Sequence, residues 1–204
     1  MRNWLAAKGK FRARVTAVIQ RLDEAFPFPH YGNRATWEKY LPHVRKVWEF
    51  RDRSKDKLDA SRLLFNVAES NVTFGKYAEA EAMFRETLAL QTEALGAEHS
   101  SRLTSANNLA TALRNQGKYA MAEAIYRETL VLRTKKLGTE HPDTLRSRNG
   151  VTNTLSSQGK HAEAKVMYWE TIMVQTKILG ARHPDTLRSK NNLANALGSQ
   201  GKYA

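Results

Sequence analysis

The 204-residue sequence contains no cysteine and no apolar run of membrane-spanning length. Without thiols the chain can form no disulfide, supply no thiolate nucleophile and bind no metal through sulfur, which fits a reducing compartment. A transmembrane helix needs about 20 consecutive apolar residues, so no span is predicted. Apolar residues make up 41% of the chain and charged residues 26%, as in folded globular proteins. We therefore expect a folded cytoplasmic protein.

Motifs that identify enzymes are also missing. No GxxxxGK[ST] stretch is present, so the chain has no phosphate-binding loop of that type. No G-x-S-x-G turn or comparable setting for a nucleophile occurs. The sequence therefore predicts a protein that is not an enzyme and has no catalytic residues and no cofactor.

Acidic residues are outnumbered by basic ones. The chain has 33 Lys and Arg against 20 Asp and Glu, a net charge of +13, and residues 1–54 hold 12 of the basic residues against 5 acidic ones. A basic surface attracts acidic partners through long-range electrostatics. Nucleic-acid binding is the lesser alternative, because the basic residues are scattered and no run of aromatic residues for base stacking accompanies them.

The sequence does contain a strong internal repeat. Residues 75–116, 117–158 and 159–200 align without insertions, and the last two segments share 23 of 42 positions. Each copy carries two amphipathic patterns of helical period separated by glycine turns. Repeated helical hairpins of this kind stack on one another, because each buries its apolar face against its neighbours. An α-solenoid is therefore predicted.

Turn and cap residues give the expected helix limits. The first helix of each copy follows the letters "HPDT", where Asp143 or Thr144 is predicted to cap it, and it ends at Gly117, Gly159 or Gly201. The second helix starts near "YAMAEAIY". One histidine recurs just before each first helix, at His99, His141 and His183. Residues one repeat apart lie too far apart for a single metal centre, so we expect no metal and assign these histidines to the loop.

The motif "NNLA…QGKYAEAE…YRETL…LGxEHPDT" resembles the 42-residue tetratricopeptide repeat (TPR) of kinesin light chains and related proteins of fungi and bacteria. The resemblance covers about residues 56–204 and implies an all-α fold: a right-handed α-solenoid of TPR helix pairs preceded by two N-terminal helices. Ala106, Arg148 and Lys190 depart from the large apolar residue usual at their position, so we expect looser packing and a polar surface there.

The repeat divides the chain into an N-terminal helical segment, 1–54, and a TPR array, 55–204. The array comprises Asp56–Gly96, Glu98–Gly138 and Glu140–Gly180, followed by Arg182–Gln200 as the first helix of a fourth repeat. Leu187, Leu193 and Leu197 in this helix are expected to require a partner. We therefore expect a fragment of a longer array, or a truncated gene model, that can self-associate through its open C-terminal repeat.

The N-terminal segment carries a second resemblance. "RNWL…" followed by "FP…W…YLPHV" is similar to the junction between the nucleotide-binding (NB-ARC) module and the repeats of fungal STAND proteins. This resemblance implies an alternative function, in which the chain is a truncated sensor of such a signalling protein and has no activity of its own.

A candidate binding face follows from the helix period. Residues at i, i+3, i+7 and i+10 share one side of a helix, and the first helix of each pair lines the concave side of such a solenoid. Asparagine offers a donor and an acceptor to a peptide backbone, and arginine binds carboxylates. We predict a non-enzymatic interaction module or scaffold that binds an extended, acidic peptide. Ten residues form its predicted face: Thr104, Asn107, Thr111, Arg114, Arg146, Asn149, Asn153, Arg188, Asn191 and Asn195.

Overall fold

The computed structural model describes residues 2–25, 31–49 and 57–201, and the side chains of 10–25, 32–49 and 57–198. All regular structure in these ranges is helical, as predicted. None of the helices there has both the length and the apolarity of a membrane span. A 3-10 turn, Tyr31–Asn33, precedes α2. The α-helices are α1 (Arg2–Ala25), α2 (Arg34–Trp48), α3 (Lys57–Thr73), α4 (Tyr77–Leu95), α5 (Ser100–Asn115), α6 (Tyr119–Leu137), α7 (Pro142–Ser157), α8 (His161–Leu179) and α9 (Pro184–Gly201).

The chain forms two compact units, Met1–Asn108 and Leu109–Ala204, and their boundary lies inside α5. We call them unit 1 and unit 2. The domain boundary expected at residue 54 falls outside the described residues and stays a prediction.

Glycine turns end the first helix of each repeat where the sequence predicts them. Gly117 and Gly159 have φ angles of +78° and +79°, a conformation that favours glycine. After the first of these turns the Lys118 amide donates to the Leu113 carbonyl at 3.0 Å, which satisfies one of the carbonyls left open at the end of α5. Gly201 differs from this prediction, since it is the last residue of α9.

Histidine, not Asp or Thr, caps the starts of α5, α7 and α9. The Nδ1 atoms of His99, His141 and His183 accept backbone N–H bonds at 3.2, 3.1 and 3.2 Å, in each case from the residue two positions later. The prediction that Asp143 or Thr144 caps α7 is wrong, because Asp143 lies inside the first turn of the helix. The expectation that these histidines organise the loop is confirmed.

The core of unit 1 joins α1 and α2 to the repeat helices. Val15, Ile19 and Leu22 of α1 pack in one cluster with side chains of α2 and α3, among them Trp37. Phe11 and Val18, which recur with these residues at helical spacing, are 38% and 41% exposed. The apolar pattern of α1 is thus wider than the surface available to cover it.

The same side-chain contact recurs between successive first helices in unit 1. Asn66 of α3 donates to the Asp23 carboxylate of α1 at 3.0 Å, and Asn108 of α5 donates to the Glu69 carboxylate of α3. In both pairs an asparagine of the later helix donates to a carboxylate of the earlier one. The contact of α1 with α3 therefore resembles the contact of α3 with α5.

Unit 2 buries both small side chains and a large charged one. Ala122 and Ala164 are fully buried in α6 and α8, where their size allows close approach of another helix. Arg133 is only 2% exposed, and its guanidinium donates to the Asp143 carbonyl and the Ser147 hydroxyl at 2.9 and 3.0 Å. Burial lowers the pKa of Arg133. This arginine is therefore part of the packing between α6 and α7.

The three departures from the usual repeat pattern have three different outcomes. Ala106 is buried. Arg148 is partly buried, with a guanidinium nitrogen 3.7 Å from a Glu170 carboxylate oxygen, whereas Lys190 is exposed. The expectation of a polar surface is therefore confirmed at the last two positions and wrong at Ala106, because a small side chain fits the core.

The last helix of unit 2 leaves part of its apolar side open. Leu187 and Leu197 of α9 are 46% and 39% exposed, whereas their counterparts in α7, Leu145 and Leu155, are buried. Leu193, which was also expected to need a partner, is only 7% exposed. It is already covered within unit 2 and needs no partner.

Candidate functional site

Unit 2 brings together polar side chains from five helices. The Thr111 and Tyr126 hydroxyls lie 2.7 Å apart. The Tyr168 hydroxyl donates to Asn153 Oδ1 at 2.5 Å, and the same oxygen accepts the Asn192 amide at 3.1 Å. Arg114, one turn beyond Thr111 on α5, lies within electrostatic range of both tyrosines, where its charge partly opposes the rise in pKa that burial causes. We name this group the tyrosine–asparagine cluster: Thr111, Arg114, Tyr126, Asn153, Tyr168 and Asn192.

The position of the two tyrosines follows from the repeat. Tyr126 and Tyr168 lie 42 residues apart on second helices, and both are 2% exposed. Gly150 makes room for the first ring, because a β carbon there would lie only 2.3 Å from Tyr126 Cε1. Other copies of the repeat have Asn108 and Asn192 at this position. The glycine therefore shapes the cluster from the side of α7.

Burial keeps the two hydroxyls neutral. It raises the pKa of Tyr126, and it raises the pKa of Tyr168 to about 12. The positive charge of Arg114 acts in the opposite direction on both groups but is the smaller effect. At neutral pH these groups are phenols that donate or share hydrogen bonds.

Arg114 differs from most arginines of unit 2 because it makes no ion pair within the part of the chain that the structure describes. Its side chain is partly exposed, and its charge acts on both tyrosine hydroxyls. A guanidinium without a carboxylate partner, next to hydroxyl groups, is suited to bind an anionic oxygen.

The other predicted arginines lie on the surface of unit 2. Arg146 pairs with Asp143 at 3.2 Å, and Arg188 pairs with Asp185 at 2.6 Å, each within its own helix. Their side chains are 58% and 63% exposed. Both are accessible to a ligand.

The predicted asparagines divide into accessible and internal ones. Asn191 and Asn195 are exposed on α9, and Asn153 belongs to the tyrosine–asparagine cluster. Asn149 is buried, and its Oδ1 lies 3.4 Å from the Ser189 hydroxyl that donates to it. The packing of α7 with α9 therefore uses Asn149, and a ligand has no access to it.

Two predicted residues belong to unit 1. Thr104 donates to the Ser100 carbonyl of its own helix at 3.0 Å and is partly exposed. Asn107 is only 5% exposed, so little of its side chain is accessible to a ligand. A binding role for either residue stays a prediction.

The sequence reasoning missed the tyrosines. The helical period puts Tyr126 on the buried face of α6, which is correct for the ring, but the period gives no role to the hydroxyl. The signal was present, since tyrosine recurs at 126 and 168 where the first copy has Phe84. A hydroxyl added at a buried position must find a polar partner.

Comparison with known proteins gives a family for this fold. Residues 66–101, 102–143 and 144–185 match the family model of the tetratricopeptide repeat. A search of curated proteins gave no match to the sequence.

Solved structures with the same fold include two of a putative kinesin light chain with nearly identical TPR-like repeats from Podosopora anserina. Both are 22% identical to this chain and cover 94% of it; the matches span 88% and 89% of those chains, with TM-scores of 0.72 and 0.70. BtubC (BKLC) from P. vanneervenii is 18% identical, with 83% of this chain and 68% of that chain covered and a TM-score of 0.70.

These matches define the class of protein as an all-α, right-handed α-solenoid of helix pairs. The chain belongs to the tetratricopeptide repeat family. Tetratricopeptide repeats are in general non-catalytic scaffolds that bind other proteins. The similarity of the N-terminal segment to an NB-ARC junction stays a prediction.

Proposed function

We propose that this chain is a protein-interaction module that binds an extended, acidic peptide along the first helices of unit 2. The observation that carries the proposal is Arg114, which is partly exposed, lies within electrostatic range of the Tyr126 and Tyr168 hydroxyls and makes no ion pair with any described residue. A peptide carboxylate bound there would neutralise the guanidinium and accept the hydrogen bonds that its N–H groups otherwise donate to solvent.

Two further arginines extend this surface along α7 and α9. Arg146 lies two turns before Asn153 on the same side of α7, and Arg188 occupies the equivalent position on α9. Each pairs with an aspartate of its own helix, but exposed pairs contribute only about 0–1 kcal/mol. A carboxylate of the ligand can replace the aspartate at little cost.

Exposed amides supply the remaining contacts. Asn191 and Asn195 are exposed on α9, and each offers a donor and an acceptor to the backbone of an extended chain. The buried rings of Tyr126 and Tyr168 present no face for base stacking, which argues against nucleic acid as the ligand. A role as the sensor of a STAND protein and a cytoplasmic location stay predictions.

The proposal is tested by peptide selection followed by a binding titration. A display library of random peptides of about 12 residues is selected on the immobilised chain, and the best sequence is labelled for fluorescence anisotropy. We expect selected peptides rich in Asp and Glu, loss of binding when these become Asn and Gln, and weaker binding at higher salt.

Substitutions then locate the site. The double variant Arg146→Glu/Arg188→Glu is expected to abolish binding, and Arg114→Gln is expected to weaken it about tenfold or more, as for loss of a charge-assisted hydrogen bond. The control, Lys39→Glu/Lys165→Glu, makes the same change in net charge at exposed positions outside these first helices. Unchanged binding in the arginine variants, or an equal loss in the control, contradicts the proposal.

A further inference from the structure

The outer side of α8 carries an apolar ridge. Val166, Trp169 and Met173 are 58%, 52% and 66% exposed. Their spacing of three and four residues places them on one side of the helix. We call these three residues the α8 ridge.

The other repeats show that the fold does not require these residues. The equivalent positions hold Ala124, Arg127 and Val131 in α6, and Ala82, Arg85 and Ala89 in α4. In both of those helices the arginine pairs with a glutamate four residues earlier, Glu123 or Glu81. In α8 the corresponding residues are Lys165 and Trp169, so an ion pair of the repeat has been replaced by an aromatic side chain. An exposed apolar group that the fold does not need points to an interaction surface.

Charges along one flank of the ridge are already paired within unit 2. Glu163 lies 2.9 Å from the Arg127 guanidinium, and Lys177 lies 3.1 Å from Glu140. Glu170 lies 3.7 Å from Arg148. This flank of the ridge thus carries neutralised charge, and Lys165 is a single exposed cation on the other flank, so the ridge has far fewer cations to offer an acidic partner than the first-helix surface. A partner with a similar, largely apolar face fits it best.

The spacing of the ridge makes it complementary to itself. Val166 lies three residues before Trp169, and Met173 lies four residues after it. If a second copy packs antiparallel about a two-fold axis at Trp169, the two tryptophans meet and each Val166 faces a Met173 of the other copy. We propose that the α8 ridge pairs with the α8 ridge of a second copy of this chain.

The exposed area sets the strength of this contact. Three side chains that are each more than half exposed offer on the order of 300 Å² per copy. A stable interface buries about 800 Å² per partner, so the dimer is weak and reversible, with a dissociation constant in the micromolar range or above. The ridge lies on a second helix, so this proposal does not depend on the proposed peptide site.

Disulfide trapping tests the antiparallel pairing directly. The natural chain has no cysteine, so each introduced thiol has no competing partner. When Val166→Cys and Met173→Cys chains are mixed and mildly oxidised, we expect the mixed dimer to form faster than either homodimer. Met121→Cys, also exposed but on α6, is the control and is expected to stay monomeric. Equal rates for mixed and matched pairs overturn the antiparallel arrangement.

Sedimentation velocity over a range from about 10 to 500 μM tests the dimer itself. The wild-type chain is expected to shift reversibly from monomer to dimer. Lys165→Glu/Trp169→Arg restores the ion pair of α4 and α6 and is expected to remain monomeric with unchanged helicity, whereas Leu197→Arg on α9 should still dimerise. A concentration-independent monomer, or a dimer that only Leu197→Arg disrupts, overturns the proposal. Binding of a monomeric chain to phosphatidylcholine vesicles, lost on Trp169→Arg, overturns it also and assigns the ridge to a membrane surface.

Discussion

Replacing Gly150 by alanine should destabilise unit 2, although alanine is the better helix former. Gly150 lies within α7, where alanine is favoured over glycine by about 0.8–1 kcal/mol. The added β carbon, however, would lie 2.3 Å from Tyr126 Cε1 and 2.5 Å from Cδ1, distances that real contacts do not reach. Either α7 or the tyrosine ring must move.

The structure gives the magnitude of the effect. Overpacking of a buried site costs about 1–3 kcal/mol. Displacing the ring also breaks the 2.7 Å hydrogen bond between Tyr126 and Thr111, which contributes about 0.5–1.5 kcal/mol. After subtraction of the gain in helix propensity, we expect the free energy of unfolding to fall by about 1–3 kcal/mol.

Urea unfolding followed by circular dichroism measures this change. Gly198→Ala is the matched control, because Gly198 is also helical but a β carbon added there would meet no atom within 4 Å, and it should gain about 0.5–1 kcal/mol. In a Tyr126→Leu background, Gly150→Ala should lose most of its cost, with a coupling of about 2 kcal/mol. If Gly150→Ala stabilises the chain as Gly198→Ala does, the reasoning about the ring is refuted.

Two further predictions concern the histidine caps and the buried tyrosine. His141→Ala should lower the free energy of unfolding by about 1 kcal/mol, whereas His141→Asn retains a cap acceptor and should cost only a few tenths; equal losses would contradict the capping role. The folded state raises the pKa of Tyr168 from 10.0 to about 12, so it retains a proton that the unfolded chain releases. The stability from this group is complete below pH 10 and is lost as the pH rises toward 12. Tyr168→Phe should therefore unfold with a shallower pH dependence in this window, measured by urea midpoints; an unchanged slope would count against the assignment.

The helix pairs were predictable because the repeat supplies the same signal three times. Starts at Tyr77, Tyr119 and His161 follow directly from the 42-residue period. Glycine turns confirm the same period, since Gly117 and Gly159 take the positive φ that their role requires. Local chemistry and spacing were sufficient here, because each helix end is decided by residues adjacent in sequence.

The histidine caps were not predictable from the usual preferences. Ser, Thr, Asp and Asn lead at that position, so "HPDT" suggested Asp143 or Thr144. Proline at position 142 takes the first helical position, so the cap is the residue before it, His141, two residues before Asp143. The imidazole nitrogen then accepts the bond that a shorter side chain usually accepts.

The candidate site was predictable only as a stripe of residues. Helical period places Arg146, Asn149 and Asn153 on one side of α7, but it does not tell which of them another helix covers. Asn149 is buried because Ser189 of α9 packs on it, and Asn191, one repeat later, is exposed. Burial at equivalent positions thus depends on which elements follow, which no local pattern encodes.

Differences between equivalent positions separate what the fold needs from what it does not. Residues 91, 133 and 175 are Gln, Arg and Gln, all buried, so this variation is accommodated within the packing. Residues 85, 127 and 169 are Arg, Arg and Trp, all exposed, and here no packing demand explains the change. The copies share one backbone geometry. The residues at equivalent positions in the other repeats therefore show what the fold requires at an exposed position of one repeat. By that comparison Trp169 is a surface residue that the packing of the repeats does not explain.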